Sequence, residues 1–234
     1  MRSFAVGENR LEKAKKIESV LKDFLGTEIK NKKILDIGTG NGEIADYFSK
    51  QNIVYSIDIE DQRNNKNSNV IFKRVASEEV PFKDHFFDIV ISNHVIEHLR
   101  RQQLHLLEIK RVLIDKGICY FATPNRLFPW EAHYKIWFIH YLGMKFYDSY
   151  LKKRDFYVGN LQLLDYFTLK RMLKHFFDIK EYTHIIIKEP EKYGFNVPIL
   201  NKFPSFILKR LNFLSQTNVF VLTKWSPTGN SWFH

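Results

Sequence analysis

The chain has 234 residues, a length that suits one α/β domain with a substantial buried core. Hydrophobic residues make up 44% of it, which is ordinary for a globular protein and argues against intrinsic disorder. The formal net charge of +10 has two readings: a partner with phosphate groups, such as nucleic acid or an anionic membrane, or a lysine-rich solvated surface.

Cysteine content and hydropathy bear on the cellular compartment. Cys119 is the single cysteine, so no internal disulfide can form, and its apolar neighbours indicate a small core residue. Residues 1–10 have no apolar signal-peptide region, and no uncharged apolar stretch is long enough to cross a bilayer. We therefore expect a cytoplasmic protein and leave peripheral membrane contact open.

The first half of the chain alternates between helical and strand patterns. Apolar runs predict strands over residues 33–37, 53–57, 70–75, 87–92 and 117–122, and helical spacing predicts helices over residues 11–25, 44–49 and 103–114. Residues 60–69 are polar and too few for a full crossover helix, so we predict a loop there. This alternation predicts a mostly parallel sheet with helices on both faces.

The pattern changes after Pro124. Residues 126–166 lack strand alternation and are rich in aromatics, which predicts a helical insertion that either packs as core or acts as a lid. The aromatic residues are Tyr134, Trp137, Phe138, Tyr141, Phe146, Tyr147 and Tyr150. The remaining elements are predicted as a helix over 167–177, a strand over 180–188, an amphipathic helix over 198–214 and a strand over 218–224.

A glycine-rich loop, Gly-Thr-Gly-Asn-Gly at residues 38–42, directly follows the first strand. Such a loop brings backbone N–H groups close to a ligand. A dinucleotide fingerprint places its third glycine one position later, where this chain has Glu43. Asp36 lies where a pyrophosphate would approach, and its carboxylate repels phosphate but attracts a cation. S-adenosylmethionine carries an ammonium and a sulfonium group and no phosphate.

A second acid, Asp58, ends the next predicted strand, where it can accept both hydroxyls of a ribose. The alternative interpretation is a plain tight turn at residues 38–42 with Asp36 as a helix cap. The glycine run combined with the second acid favours a nucleoside site.

Residues 34–42, Ile-Leu-Asp-Ile-Gly-Thr-Gly-Asn-Gly, resemble motif I of the class I S-adenosylmethionine-dependent methyltransferases, and residues 75–82 and 86–99 are similar to the family's third- and fourth-strand motifs. The resemblance implies a Rossmann-like fold with seven strands, mostly parallel, the last one antiparallel. It implies S-adenosylmethionine as donor and S-adenosylhomocysteine as product. We expect a single domain over residues 1–234, with its core at 27–124 and 167–224 and the insertion at 125–166.

The same resemblance implies a set of cofactor-binding residues. Asp58 would hold the ribose, Ile59 would pack on the adenine, and residues 76–78 would flank it. Many family members have an acid where this chain has Ala76, so adenine contact would fall to the N–H of Ser77. The full set is Asp36, Gly38, Gly40, Asn41, Gly42, Asp58, Ile59, Ala76, Ser77, Glu78, Asn93 and His94. The last two would border the cofactor near its methyl group.

Three histidines are candidates for the proton transfer that a hydroxyl acceptor requires: His94, His98 and His133. His94 and His98 would share one face of a helix. No third ligand is evident beside them, so we predict no metal site. For Glu97 we favour helix capping and packing. His133 follows a Thr-Pro-Asn-Arg run that resembles a subgroup acting on glycans, lipids or other small molecules, and the alternative for it is a surface residue.

The predicted function is methyl transfer to a small-molecule, glycan or lipid-linked acceptor, at oxygen. A nucleic-acid methyltransferase is one alternative, suggested by the charge. Base-modifying enzymes usually place an Asp/Asn-Pro-Pro-aromatic run after the fourth strand, and this chain has Ser-Asn-His-Val at residues 92–95, so we do not favour nucleic acid as a partner. A nucleoside-binding module without catalysis is the other alternative.

The predicted helix over residues 198–214 combines an apolar stripe with basic residues and no acid. The stripe consists of Leu200, Phe203, Ile207, Leu211 and Leu214, and the basic residues are Lys202, Lys209 and Arg210. This pattern is typical of a helix at a membrane interface and also of a surface helix packed on a sheet. We favour packing on the sheet and keep weak membrane contact as the alternative.

Overall fold

The protein is described by a computed structural model that covers residues 10–131, 136–137, 161–194 and 200–224, with backbone only at 130–131 and 136–137. His133 and most of the predicted aromatic insertion lie outside the described residues. Residues Trp130–Glu131 and Ile136–Trp137 form a short antiparallel strand pair, so the part of the insertion described here is not the helix we predicted.

Seven further strands form one sheet. With the short pair included as β6 and β7, the described strands in chain order are β1 (Lys33–Ile37), β2 (Ile53–Asp58), β3 (Ile71–Arg74), β4 (Phe87–Asn93), β5 (Leu113–Pro124), β6 (Trp130–Glu131), β7 (Ile136–Trp137), β8 (Phe177–Glu181) and β9 (Thr217–Lys224). The order in the large sheet is β3-β2-β1-β4-β5-β9-β8. β9 runs antiparallel to both of its neighbours, and the other neighbouring pairs are parallel. The predicted Rossmann-like fold with an antiparallel last strand is confirmed.

Helices cover both faces of this sheet. They are α1 (Arg10–Leu25), α2 (Glu43–Ser49), α3 (Gln102–Val112), α4 (Tyr166–Phe176), α5 (Thr183–Lys188) and α6 (Ser205–Arg210). One apolar cluster joins the sheet to α1, α2 and α5, and a second joins the opposite face to α3 and α4. Among the described helices, none is both long and apolar enough to span a bilayer.

The strand order places the ligand-binding edge. Strands β2 and β3 lie to one side of β1, whereas β4 and β5 lie to its other side. The order in which successive strands are added to the sheet therefore reverses between the parallel neighbours β1 and β4. In open parallel sheets, ligands bind at the carboxyl ends of the strands where such a reversal occurs. The fold therefore brings the loop after β1 and the residues after β4 to one crevice.

The prediction of a strand over residues 180–188 is wrong. The strand is β8, which ends at Glu181, and α5 begins at Thr183. Three consecutive isoleucines at 185–187 favour a strand because β-branched side chains suit a pleated surface. In the fold, Thr183 and Ile186 lie three residues apart and are both buried, which is helical spacing and shows that tertiary packing overrides the local preference.

The prediction of one helix over residues 198–214 is also wrong. The described part consists of a 3-10 turn at Leu200–Lys202, the short helix α6, and a second 3-10 turn at Asn212–Leu214. Pro204 precedes α6 and lacks the N–H that a continuous helix would need there. The expected packing of the stripe on the sheet is wrong as well, since Phe203 and Leu211 are 45% and 46% exposed.

Candidate functional site

The loop after β1 has a backbone that only glycine adopts easily. Gly38, Gly40 and Gly42 have φ angles of 70°, 55° and 83°, in the left-handed region. A Cβ on Gly38 would lie 2.7 Å from Cγ2 of Val95, so the loop packs closely on the residues after β4. The Gly38 N–H donates to the carbonyl of Ile57, which ties the loop to β2. The glycines are therefore required by the shape of the loop.

Asp36 lies beneath this loop with 2% of its surface exposed. Its Oδ2 accepts a hydrogen bond of 2.7 Å from Oγ1 of Thr39. Burial raises the pKa of Asp36 to about 7, although the Thr39 hydrogen bond and the charge of Arg10 oppose the rise. A buried carboxyl of this kind gains most from a cationic ligand, and the ammonium of S-adenosylmethionine fits that requirement.

Asp58 lies at the end of β2, and backbone N–H groups already hold its carboxylate. The Gly40 N–H donates to Oδ2 at 2.8 Å, and the Ile59 N–H donates to Oδ1 at 2.7 Å. Each carboxylate oxygen retains a second lone pair, so both can still accept from ribose hydroxyls. The next side chain, Ile59, is 62% exposed, which leaves an apolar surface beside the acid that an adenine ring could cover.

The residues expected to flank the adenine lie at the end of β3. Ala76 lines a shallow cavity together with Ile59, and Ala76 and Ser77 are both exposed. Glu78 forms an ion pair with Arg101 just before α3, since its Oε2 lies 2.9 Å from Nη2 of that residue. Ala76 is thus placed beside Ile59, whereas Ser77 lines a neighbouring depression with residues of α3.

The segment after β4 brings His94 next to a buried acid. His94 has a φ of 58°, rare for a non-glycine residue, and its N–H donates to the carbonyl of Ala122 at 2.8 Å. Its Nδ1 lies 3.4 Å from Oε1 of Glu97, a carboxylate that is 1% exposed. Strained backbone at a crevice is typical of functional positions.

The favoured interpretation of Glu97 is correct for packing, since the side chain is 1% exposed, but its carboxylate contacts side chains and does not cap a helix. Its Oε2 accepts a hydrogen bond of 3.0 Å from Oγ1 of Thr123, and its other oxygen faces His94. Burial acts to raise the pKa of Glu97, but His94 and His98 outweigh this effect, and the pKa is lowered. The ionised carboxylate is therefore positioned to fix the orientation of the His94 ring.

The predicted helical pairing of His94 with His98 is wrong. A 3-10 turn covers Ile96–His98, and His94 precedes it in a left-handed conformation, so the two side chains do not stack as on an α-helix. His98 is exposed. Among the described residues, no group of three His, Cys, Asp or Glu side chains is arranged to hold a metal ion.

Arg10 is a further candidate site residue, and no sequence pattern pointed to it. A Cβ on Gly40 would lie 3.2 Å from Nη1 of Arg10, so the guanidinium covers the middle of the loop. Its charge also acts on Asp36. Arg10 begins α1 and is remote in sequence from both partners, and no local motif marks such a contact. Its position would suit the carboxylate of an amino acid ligand.

An apolar cavity of about 520 Å³ opens beside Asn93 and His94. Elements from both ends of the chain line it, including α1, α5, β5, β9 and the segment around α6. Its apolar residues include Ile17, Ala122, Ile186, Leu208, Leu211, Leu214 and Val219, and Lys13 and Lys16 also line it. The crevice thus has a polar compartment at the ends of β1 and β2 and an apolar one beyond β4.

The fold and the glycine loop are those of a Rossmann-like methyltransferase domain. A family model described as a methyltransferase domain matches residues 9–178, so the chain belongs to this methyltransferase family. The family uses S-adenosylmethionine as its methyl donor.

Solved structures resemble this fold at low sequence identity. Phosphoethanolamine N-methyltransferase 2 of Haemonchus contortus, in complex with S-adenosyl-L-methionine, aligns with a TM-score of 0.57 and 19% identity over 90% of this chain and 52% of its own. The PH0226 protein of Pyrococcus horikoshii aligns with a TM-score of 0.58 and 14% identity over 94% of this chain and 93% of its own. Likeness at these identities shows the fold alone.

One curated relative is similar in sequence. It is the ubiquinone biosynthesis O-methyltransferase of Pelagibacter ubique, 28% identical over an alignment of 125 positions that covers 47% of this chain and 50% of the relative. The chain spans about half the length of this relative.

Proposed function

We propose that the protein transfers a methyl group from S-adenosylmethionine to an oxygen of a small-molecule, glycan or lipid-linked acceptor. The observation that carries the proposal is the position of His94. It lies between the loop after β1 and the apolar cavity, and the buried carboxylate of Glu97 faces one of its ring nitrogens. A donor held by the loop and an acceptor held in the cavity would meet at this residue.

The cofactor is assigned to the polar compartment. Bound there, S-adenosylmethionine supplies an already activated methyl group, so the protein has mainly to position the reactants and exclude water. In this proposal Asp36 holds the ammonium, Asp58 the ribose, and Ile59, Ala76 and Ser77 the adenine. The loop of residues 38–42, with Asn41 in it, and Asn93 complete the contacts.

His94 is the proposed general base. Glu97 faces Nδ1, which leaves Nε2 to take the proton of an acceptor hydroxyl, and the carboxylate would stabilise the imidazolium that forms. His98 remains a second candidate because its charge also acts on Glu97. His133 stays a prediction, since it lies outside the described residues.

The cavity favours an acceptor with a large apolar part. Its lining is built mostly from aliphatic and aromatic side chains, whereas Lys13 and Lys16 could meet an anionic group on the same molecule. The name of the curated relative, an O-methyltransferase of ubiquinone biosynthesis, supports an oxygen acceptor of this general kind.

The proposal is tested by methyl transfer into cell fractions. Purified protein is incubated with S-adenosylmethionine carrying a radiolabelled methyl group and a cell extract, and the label is partitioned into organic-soluble, small polar, nucleic-acid and protein fractions. We expect label in the organic-soluble or small polar fraction. Label confined to nucleic acid, or cofactor binding without transfer to any fraction, would contradict the proposal.

Two variants control this experiment. Asp58→Ala should abolish most of the transfer because it removes the proposed ribose contact. Asp115→Ala removes an exposed acid in the region where β5 begins, remote from the crevice, and should leave transfer unchanged.

A further inference from the structure

An exposed surface beside the cavity combines apolar and basic side chains. Its apolar members, the large exposed side chains of residues 200–214, are Leu200, Phe203, Phe206, Leu211 and Leu214. Its basic members are Lys202, Lys209 and Arg210, and residues 200–216 contain no Asp or Glu. We call these eight side chains the docking surface. Exposed apolar groups of this density usually mark a binding surface.

The docking surface is held in a fixed shape. Nζ of Lys188 donates to the carbonyls of Asn201 and Phe203 at 2.9 and 3.2 Å. Nδ2 of Asn125 donates to the carbonyls of Phe213 and Ser215 at 2.7 and 2.9 Å. These hydrogen bonds anchor both ends of the segment to the body of the domain, so the apolar side chains are presented to solvent by an ordered backbone.

The docking surface is continuous with the mouth of the cavity. Leu200, Leu211 and Leu214 line the cavity and are also among the exposed apolar residues. A molecule that entered the cavity from this side would contact apolar side chains at these three positions. The surface and the cavity therefore open toward the same surroundings.

The charges select among possible partners. Within the part of the chain that the structure describes, no carboxylate lies at ion-pair distance from Lys202, Lys209 or Arg210. A symmetric pairing of two copies through this surface would bring like charges together. Nucleic acid would satisfy the charges but would leave the large apolar side chains in water. An anionic lipid surface satisfies both, because basic residues meet the headgroups while apolar residues enter the interface.

We propose that the docking surface binds an anionic membrane and turns the cavity mouth toward the lipid. The membrane contact stands on the surface itself. The consequence that an amphipathic acceptor enters from the bilayer rests on the proposed function.

The test is co-sedimentation of the full chain with vesicles. Vesicles of phosphatidylcholine alone are compared with vesicles that contain phosphatidylglycerol, at low and high salt. We expect binding that requires the anionic lipid and decreases with salt. Replacing Lys202, Lys209 and Arg210 together by glutamine should weaken binding roughly 100-fold, because each basic residue adds attraction to the anionic surface.

The apolar half of the proposal is tested with Phe206→Ser. This side chain is 68% exposed, so the substitution should leave the fold intact, and we expect it to weaken binding about tenfold. The matched control is Leu107→Ser on the opposite face of the sheet, where a leucine is 48% exposed. The control for charge is the triple glutamine replacement of Lys116, Arg171 and Lys174, two lysines and an arginine that are also exposed.

Three outcomes would overturn the proposal. Binding lost equally in the controls would mean that general charge, not this surface, attracts lipid. Tight binding of an RNA duplex that needs the three basic residues but ignores Phe206→Ser would assign the surface to nucleic acid. A dimer dissolved by Phe206→Ser, with no vesicle binding, would assign it to a second copy. Calorimetric titration with S-adenosylmethionine is run on the same samples, so failure of cofactor binding would count against the proposed function alone.

Discussion

The two compartments of the crevice are lined by different kinds of chemical group. At the ends of β1 and β2, backbone N–H groups, glycines with positive φ and two carboxylates form a polar site in which nearly every group has a fixed partner. Beyond β4, apolar side chains from separate helices and strands line a cavity that opens to solvent. The first compartment depends on backbone geometry, and the second depends on side-chain identity.

This difference has a consequence for specificity. A backbone-built site changes little unless a glycine or an acid is replaced, so it suits the invariant donor of a family. A side-chain-built cavity can change its shape through single substitutions while the sheet remains intact, so it suits acceptors that differ between members. The following predictions separate the two compartments, beginning with the residue between them.

Replacement of His94 is expected to have the largest effect. Asparagine tolerates the positive φ at this position, so His94→Asn should fold normally. Loss of the proposed general base should lower kcat for an oxygen acceptor by roughly 10²–10⁴-fold, while the Kd of S-adenosylmethionine changes little. Steady-state kinetics and calorimetry measure the two effects. An unchanged kcat would remove His94 from the chemistry.

Asp58→Ala is predicted to act on the cofactor compartment alone. Two ribose hydroxyls would lose a charged acceptor, and hydrogen bonds to charged groups contribute about 1.5–3 kcal/mol each. We expect the Kd of S-adenosylmethionine to rise at least about tenfold by calorimetry. The control is Asp115→Ala. If Asp58→Ala remains folded and binds with unchanged affinity, Asp58 is not part of the site.

The raised pKa of Asp36 predicts a pH dependence of cofactor binding. Since burial raises this pKa to about 7, the carboxyl is protonated below that pH in the cofactor-free protein, whereas pairing with an ammonium requires the carboxylate. Affinity should therefore increase about tenfold per pH unit up to about pH 7 and then level off. Titrations between pH 5.5 and 8, values chosen to lie roughly on both sides of this pKa, measure it.

The raised pKa of Asp36 also predicts how the stability of the cofactor-free protein changes with pH. The folded-state pKa is above the ordinary value of 3.8, so this group stabilises the cofactor-free fold at acidic pH and loses that contribution as pH rises through about 7. Asp36→Asn should remove both pH dependences. A wild-type affinity that does not change with pH would contradict the role of Asp36.

Leu214→Ala is predicted to have the smallest effect and to act on the acceptor compartment. This half-exposed side chain lines the cavity, and its loss removes apolar contact worth about 1 kcal/mol. The KM for an apolar acceptor should rise severalfold while the Kd of S-adenosylmethionine stays within about twofold. A larger change in cofactor affinity than in acceptor KM would show that the compartments are not separate.

The parts of the molecule that were predictable from sequence are those encoded locally. The strand at residues 33–37 and the glycine loop after it form one continuous motif, and their positive φ angles follow from the glycines. The loop at residues 60–69 followed from its polarity. The antiparallel last strand followed from the family resemblance, because nothing within that strand specifies its direction.

Features that depend on remote contacts were missed. Arg10 covers Gly40 from the start of α1, and Thr123 reaches Glu97 from β5, so neither contact has a signature near either partner. The helix at Thr183–Lys188 was mistaken for a strand because its isoleucines favour a sheet in isolation and only the packing of α5 reveals the helical face. Local preference was overruled there by burial.

Titration calorimetry with S-adenosylmethionine and with NAD is the most direct test of the central claim, that the loop after β1 and the acids at residues 36 and 58 form a methyl-donor site. We expect micromolar binding of S-adenosylmethionine, on the order of −8 kcal/mol, and at least roughly 100-fold weaker binding of NAD, whose pyrophosphate would approach the carboxylate of Asp36. Low-micromolar binding of NAD, or no binding of S-adenosylmethionine by the folded protein, would contradict it.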